Sequence, residues 1–378
     1  MTSPVRSSRT ALILGVGNAQ VDLIHYLKES GWQVIGCSYR QEGRGLAAVD
    51  HFELVNVVDA EQVETLARAR QIDLLYTVGS DLAMPTVARV SERLGLPSFV
   101  SAETAEMLQN KLMLRAFLSA HAISPIRHAK ITTPADLDGW DIYPAILKPV
   151  DNQGQRGVYL AQDQATALAG LNTALGFSRS RTLIVEEFLS GPEVSANTFI
   201  VNGQTVLNEV SDRYVVEGYA GGLPRGHVYP ARTCIGDLLE ETRRLVALCN
   251  RELGIQNGPV YYQIILTPHG PRIVEVTPRL DGCHMWRLIK SVTGVDLLEV
   301  CVNFLAGMPL PDMTVPAGLA SQYLGFFYQP TGEIFDPARH LKGSNAVHLE
   351  YYYTAGETVR PINGYYEKVG YYIEPFDS

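Results

Sequence analysis

Cysteine is scarce in this chain. Five occur in 378 residues (Cys37, Cys234, Cys249, Cys283 and Cys301), odd in number, scattered, and with no CxxC pair. That argues against a disulfide scaffold, and a reduced, cytoplasmic setting is the expectation. Long apolar runs are missing too: none approaches the ~20 residues of a membrane span. Positive charge is in deficit, 31 Lys and Arg against 40 Asp and Glu, or −9, with no basic tail. A nucleic-acid binder would display a basic field, so no nucleic-acid or membrane partner is expected. No Gly-Lys dipeptide occurs, which excludes a P-loop. Internal repeats and low-complexity tracts are absent, and Met1 to Thr10 carry no signal-peptide cleavage site. What remains is a globular composition, 46% hydrophobic and 19% charged, long enough for about two and a half domains.

The first hundred residues alternate short apolar runs with amphipathic helical stretches. Strands are expected at Ala11 to Leu14, Gln33 to Ser38 and Asp73 to Val78, with helices to about Ser30 and over Leu82 to Leu94. Continuous apolar strands alternating with helices predict a parallel sheet covered on both faces. From Ser101 the style changes. One helical stretch ends at Asn110, another runs from Lys111 to His121, and after Pro125 strands and Gly-rich loops dominate. Val201-Asn202-Gly203-Gln204 is a two-residue hairpin signal, and a long helix is expected from Gly236 to Leu253. From Pro311 onward lie 9 of the 19 tyrosines, in a segment that reads as a small β-rich appendage.

Four groups of residues bear chemistry. Gly15-Val16-Gly17-Asn18-Ala19-Gln20 stands where a strand turns into a helix, but Gln20 replaces the third glycine of a dinucleotide fingerprint and no acid closes the next strand. A tight turn is the better reading, although a helix start there suits an anionic group. Lys148 stands alone in the apolar run Pro144 to Val150, where a buried, unpaired ammonium is costly, so it snorkels out or meets an anion. The loop after it, Asp151 to Gly157, is either a phosphate-cradling nest or an ordinary hairpin. Glu186 and Glu187 end an apolar strand. Adjacent strand residues face opposite ways, so one of them needs a donor, a purine amino group or a lysine. Finally, strands Val260 to Leu266 and Arg272 to Thr277 flank Thr267-Pro268-His269-Gly270. A hairpin centred on His269 sets Gln263 opposite Glu275, with Thr277 on the same face. Oxygen ligands converging from neighbouring strands suit Mg²⁺, and Arg279 follows at a reach suited to a phosphate.

Taken in order, Asn110-Lys111, Leu147-Lys148-Pro149, the Gly154 to Gly157 loop, Val185-Glu186-Glu187-Phe188-Leu189, Gly191-Pro192-Glu193 and Glu275-Val276-Thr277-Pro278-Arg279 resemble the ATP-grasp superfamily. The resemblance spans roughly residues 1 to 310. It implies an α/β pre-ATP-grasp domain over 1–100, a two-lobed α+β ATP-grasp domain over 101–310 with a lid near 151–158, and a small Tyr-rich segment over 311–378. It implies that Lys111 and Lys148 meet the ATP phosphates and adenine, that Gly154 and Gly157 belong to the lid, and that Glu186 accepts from the adenine amino group. By the same resemblance Glu187, Phe188 and Leu189 form the adenine hinge, Glu193 binds ribose, and Gln263, Glu275 and Thr277 hold Mg²⁺, in one or two ions, or Mn²⁺ in its place. Arg279 and Lys148 are the implied catalytic cations. The family commonly has Glu where this chain has Gln263, and nearly always Asn where it has Thr277, which bears on the number of ions.

Gly226-His227-Val228-Tyr229-Pro230 and Arg279 to His284 are further similar to carboxylate–amine ligases of the amino-acid-ligase and carbamoyl-phosphate-synthase-like group. There the corresponding loops face the acyl substrate, making His227, Asp281 and His284 candidate contacts beside the alternative of satisfied structural residues. The chemistry implied is phosphorylation of a carboxylate by ATP and attack of an amine on the acyl phosphate, with small-molecule acid and amine as partners. Three rivals stand beside it: a biotin-carboxylase-like enzyme acting on bicarbonate, a non-catalytic ATP-binding protein of this fold, and a nicotinamide oxidoreductase resting on Gly15 and Gly17. The Tyr351 to Tyr372 end is either a homodimer surface or a substrate lid.

Overall fold

The computed structural model describes residues 9–152, 154, 156–218, 222–340, 345–362 and 365–376. Three sheets organise them. The first joins β1 (Thr10–Leu14), β2 (Gln33–Ser38), β3 (His51–Leu54) and β4 (Leu74–Tyr76) in the order β3-β2-β1-β4, all parallel. Every residue of β1 is buried, and alternate residues serve different cores. Ala11 and Ile13 pack with the rest of the molecule, whereas Leu12 and Leu14 pack with Val63, Leu66 and Val87. Burial on both faces is why the strand reads as an unbroken apolar run. β4 stops short of the apolar stretch that encodes it. The Thr77 hydroxyl donates to Leu14 O at 2.6 Å and Gly79 N to Leu280 O at 3.1 Å, so the backbone leaves the sheet there. The next helix begins at Met84 rather than Leu82.

The Gly15 to Gln20 segment is a closed turn. Gln20 is buried; its Oε1 accepts from Gly17 N at 2.9 Å, and its amide nitrogen donates to Val78 O. The Gly17 N–H, a donor that a helix start could offer an anion, is thus already taken by the Gln20 side chain.

A second sheet, antiparallel, comprises β5 (His128–Ile131), β6 (Ala145–Pro149), β7 (Tyr159–Ala161) and β8 (Leu183–Glu187) in the order β5-β8-β6-β7. Its own core gathers Leu147, Leu171, Leu183 and Val185 beneath the helix Gln164–Gly176.

The third and largest sheet holds β9 (Glu193–Val201), β10 (Gln204–Val215), β11 (Pro224–Tyr229), β12 (Gly258–Thr267), β13 (Gly270–Thr277), β14 (Gln322–Pro330), β15 (His348–Tyr351) and β16 (Tyr366–Pro375). Its order is β13-β12-β9-β10-β11-β14-β16-β15. Burial along β12 alternates: Val260, Tyr262, Ile264 and Leu266 face the core while Tyr261, Gln263 and Ile265 face the other way. The helix Gly236–Glu252 covers the core face, where Asn250 Oδ1 accepts from Tyr262 Oη at 2.6 Å. β9 and β10 meet at Asn202 and Gly203, both with positive φ (51° and 76°), the geometry of a two-residue hairpin. The strands after Pro311, read in the sequence as an appendage, extend this same sheet through the β11–β14 pairing.

Among the contacts between the first 100 residues and the segment after β13 is one close backbone approach. Gly79 has φ +67°, and a Cβ there would lie 2.7 Å from Ala19 Cβ and 3.0 Å from Gly282 Cα. Replacement Gly79→Ala is expected to cost roughly 2 kcal/mol through the left-handed backbone and the contact, read as a lower midpoint of chemical denaturation.

Candidate functional site

The helix Lys111–Ala120 begins because the Asn110 carbonyl oxygen of the side chain accepts from Leu112 N at 3.0 Å and Met113 N at 3.3 Å. That cap sets Lys111 in the first turn and Arg115 one turn on, on the same face. Arg115 is buried, and it is the residue that sequence reasoning missed. Its Nε donates to Glu186 Oε1 at 2.6 Å, and its two terminal nitrogens donate to Ile273 O and Val274 O at 2.8 and 2.9 Å. A signal existed: an arginine four residues after Lys111, between the buried Leu114 and Leu118.

Glu186 is equally buried, and Lys148 Nζ lies 2.6 Å from its Oε2. Of the alternatives left open for these two side chains, the structure has each meeting the other. Burial raises the Glu186 pKa, but the Arg115 and Lys148 charges and hydrogen bonds outweigh it and hold the carboxyl at about 2. Burial pulls the Lys148 ammonium below its ordinary value, Glu186 pulls it up, and Arg115 pushes it down again. Two cations share one carboxylate, so the cluster keeps an excess of positive charge beside the cleft. Glu187 points the other way, its Oε1 accepting from Arg127 N at 2.8 Å, and Phe188 is exposed, its N–H donating to Pro144 O at 3.1 Å. Of the loop after Lys148, residues 153 and 155 lie outside the described residues.

On the large sheet, Glu275, Gln263, Ser195 and Ser211 stand directly abreast on β13, β12, β9 and β10. The Gln263–Glu275 pairing is the one the sequence predicts, reached by a different route. The hairpin pairs Thr267 with Gly270, so its centre lies before His269. A bulge between Gln263 and Ile264 then restores the pairing. Thr277, abreast of Tyr261, is 3% exposed, and its hydroxyl has no hydrogen-bond partner among the described residues. Lys111 faces this row across the cleft, its Nζ 3.9 Å from Glu275 Oε1 and 2.8 Å from Asn152 O. Glu193 is paired with Arg213 and accepts from Gln263 Nε2 at 2.9 Å. Arg279 is held by Asp81, between β4 and the helix Met84–Leu94, Nε to Oδ1 at 2.8 Å, and donates to Leu280 O at 2.9 Å. Asp81, Lys111, Asn152, Glu275 and Thr277 line one cleft.

These residues fit a hard cation. One carboxylate, one amide and an orphaned buried hydroxyl supply oxygen ligands, too few for an all-protein cage. Among the described residues no three His, Cys, Asp or Glu side chains gather. Such a set suits an ion that completes its shell with water and phosphate oxygens.

The remaining candidates sit beyond Arg279. Asp281 is buried and accepts from Cys283 N at 3.0 Å and Met285 N at 3.1 Å, fixing the start of the helix Met285–Thr293. His284 has both ring nitrogens engaged, with Asp22 Oδ2 at 3.2 Å and Tyr352 Oη at 2.7 Å, and stacks on Tyr371. Asp22 also accepts from Trp286 Nε1 at 2.9 Å, binding the helix Val21–Glu29 to this segment. His227 is fully buried on β11 abreast of Arg213, and neither ring nitrogen has a partner among the described residues.

Against known proteins, a family model described as an ATP-grasp domain matches residues 142–286. The uncharacterized protein y4rH of Sinorhizobium fredii is 29% identical over 233 residues, 59% of this chain and 46% of that protein. Dapdiamide A synthase of Enterobacter agglomerans is 24% identical over 241 residues, 60% of this chain and 56% of that one. The chain thus spans about half the length of these curated relatives. The crystal structure of an L-amino acid ligase from Bacillus licheniformis superposes with a TM-score of 0.79 at 17% identity, covering 99% of this chain and 95% of that one, a likeness of fold.

Arg115→Ala, which strips one cation from a buried ion cluster, is expected to cost about 3–5 kcal/mol, measured by denaturant unfolding. Acid tests the same cluster. Glu186 falls from an ordinary 4.5 to about 2 on folding, so its contribution is whole above the first value and is lost as pH falls toward the second. The wild-type unfolding midpoint should drop across that window, and more steeply than that of Arg115→Ala.

Proposed function

The chain is an ATP-grasp protein, and we propose that it is an ADP-forming ligase that joins a small-molecule carboxylate to an amine. The observation that carries this reading is the Gln263–Glu275 pair, with the unpartnered Thr277 hydroxyl beside it and Lys111 across the same cleft. The activities named for two similar proteins, a dapdiamide A synthase and an L-amino acid ligase, support it by analogy.

In this reading the nucleotide enters between the second and third sheets. Lys148 and Lys111 meet its phosphates, Glu186 to Leu189 meet its base, Glu193 meets its ribose, and Gly154 and Gly157 are nucleotide contacts. Gln263, Glu275 and Thr277 would hold Mg²⁺, which would supply charge neutralisation at the phosphates. A carboxylate oxygen of the acid attacks the γ-phosphorus and ADP leaves; the amine nitrogen then attacks the acyl carbon, phosphate leaves, and the nitrogen loses a proton. Arg279, oriented by Asp81, offers its remaining N–H groups to the transferring phosphoryl group. Most of the rate in the first step then comes from positioning and from preorganised positive charge. Asp281 and His284 serve by holding the loop that carries Arg279.

A matrix of acids and amines with Mg-ATP, read by ADP, phosphate and product mass, tests the reaction. AMP and pyrophosphate would refute the acyl-phosphate route, and bicarbonate-dependent turnover without an amide product would favour the carboxylase-like reading. Glu275→Gln should lower ATP turnover by at least a hundredfold while circular dichroism and the unfolding midpoint stay near wild type. Wild-type turnover in that variant at limiting Mg²⁺ overturns the metal assignment.

A further inference from the structure

Lys111 stands between two acceptors. Its Nζ donates to Asn152 O at 2.8 Å and stops 3.9 Å from Glu275 Oε1, although it is the carboxylate that carries charge. Free to close, an ammonium and a carboxylate meet at about 2.7–2.9 Å, so the neutral carbonyl holds Lys111 back from the stronger partner. That separation decides what the cleft can bind. An ammonium closed on Glu275 would neutralise the one carboxylate abreast of Gln263 and commit its own charge there. Held off, Glu275 keeps its charge for a cation and Lys111 keeps its charge for a phosphate.

The Asn152 carbonyl is fixed from outside the cleft. Asp151, the residue before it, accepts from Ser178 Oγ at 2.9 Å and from Ser180 N at 2.8 Å, one donor on each carboxylate oxygen. Its backbone oxygen accepts from Arg179 Nη2 at 3.2 Å. On either side, Asn152 Nδ2 donates to Phe177 O at 3.0 Å and Val150 N to Thr182 O at 3.2 Å. Residues 150–152 are thereby fastened to residues 177–182, the link between the helix Gln164–Gly176 and β8. Burial raises the Asp151 pKa, but the hydrogen bonds from Ser180 and Ser178 and the Arg179 charge outweigh it and hold the carboxyl below its ordinary value. The anchor is therefore ionised wherever the cleft works near neutral pH.

Resting on the nucleotide-binding reading above, we infer that Asp151 is a positioning residue that fixes the Asn152 carbonyl and through it holds Lys111 off Glu275. Asp151 also lines the cleft, so the rival roles are a direct ligand and a purely structural turn. Both rivals leave the effect of Asp151 independent of Lys111, and coupling between the two side chains separates them from the anchor.

Binding of Mn-ADP to the full chain, followed by isothermal titration calorimetry, tests this without acid or amine. Asp151→Ala should weaken Mn-ADP roughly ten- to a hundredfold, as loss of a residue behind a ligand does. Lys111→Met should weaken it by a similar factor, and the double variant should stay within about twofold of Lys111→Met, because the anchor then has nothing to position. Asp151→Asn, which keeps an acceptor for Ser180 N, should recover most of the loss. Circular dichroism and the unfolding midpoint accompany each variant. If Asp151→Ala does not fold, Ser178→Ala removes one donor and should give the same coupling with a smaller loss. Undiminished binding in Asp151→Ala, or losses that simply add in the double variant, overturn the proposal. Failure of the wild type to bind Mn-ADP overturns the nucleotide reading and this one with it. Coupled losses in a chain that joins no acid to any amine support the anchor and remove only the ligase reading.

Discussion

Taking a guanidinium, an ammonium and a carboxylate out of water costs several kcal/mol for each ion, and only close, hydrogen-bonded pairing offsets it. Arg115, Lys148 and Glu186 meet that condition, and the geometry of the cleft follows. Lys148 and Glu186 lie on neighbouring strands of the second sheet, and Arg115 lies on the capped helix. The remaining N–H groups of Arg115 bind the carbonyls of Ile273 and Val274, on the strand that carries Glu275 and Thr277. One carboxylate therefore sets the small sheet, the helix and the large sheet in register. Because the cluster holds two cations for one anion, it biases the cleft toward negative ligands without any basic surface. The overall charge of −9 and an anion-seeking interior coexist for that reason.

Much of this was legible from local pattern. A lysine alone in an apolar strand announces a buried partner, and Glu186 is that partner. Gln263 in an apolar run, opposite an acid across a short turn, announces a polar row. Gln20 in place of a glycine announces a turn closed by a side chain. What local pattern does not carry is pairing at long range. Arg115 reads as an ordinary helical arginine until β8 and β13 are brought to it. The strands after Pro311 look like a separate unit because nothing in their alternation says that β14 will lie against β11, nearly a hundred residues earlier. The bulge beside Gln263 is likewise invisible in composition, since it depends on where a two-residue turn chooses to form.

The first hundred residues reach the cleft through specific groups. Asp81 orients Arg279, Asp22 gathers His284, Trp286 and Arg287, and Gly79 lets two backbones touch at Gly282. All three meet the loop that runs from β13 to the helix Met285–Thr293. A loop pinned at this many points presents its side chains in one arrangement, so the residues before 100 bear on the cleft by removing freedom from the loop as well as by lining it with Asp81.

The place of β11 in the sheet bears on how the protein comes to be folded. This strand carries His227, and one of its edges is covered only by β14, with β16 and β15 beyond it. During synthesis at roughly 5–20 residues per second, some seconds separate the emergence of β11 from that of β14. Through that interval a strand destined for burial shows an open edge, the condition under which strands pair with the wrong neighbour. The strands after Pro311 are thus also the ones that protect the β11 backbone, and the sheet is complete only once they have shielded that edge.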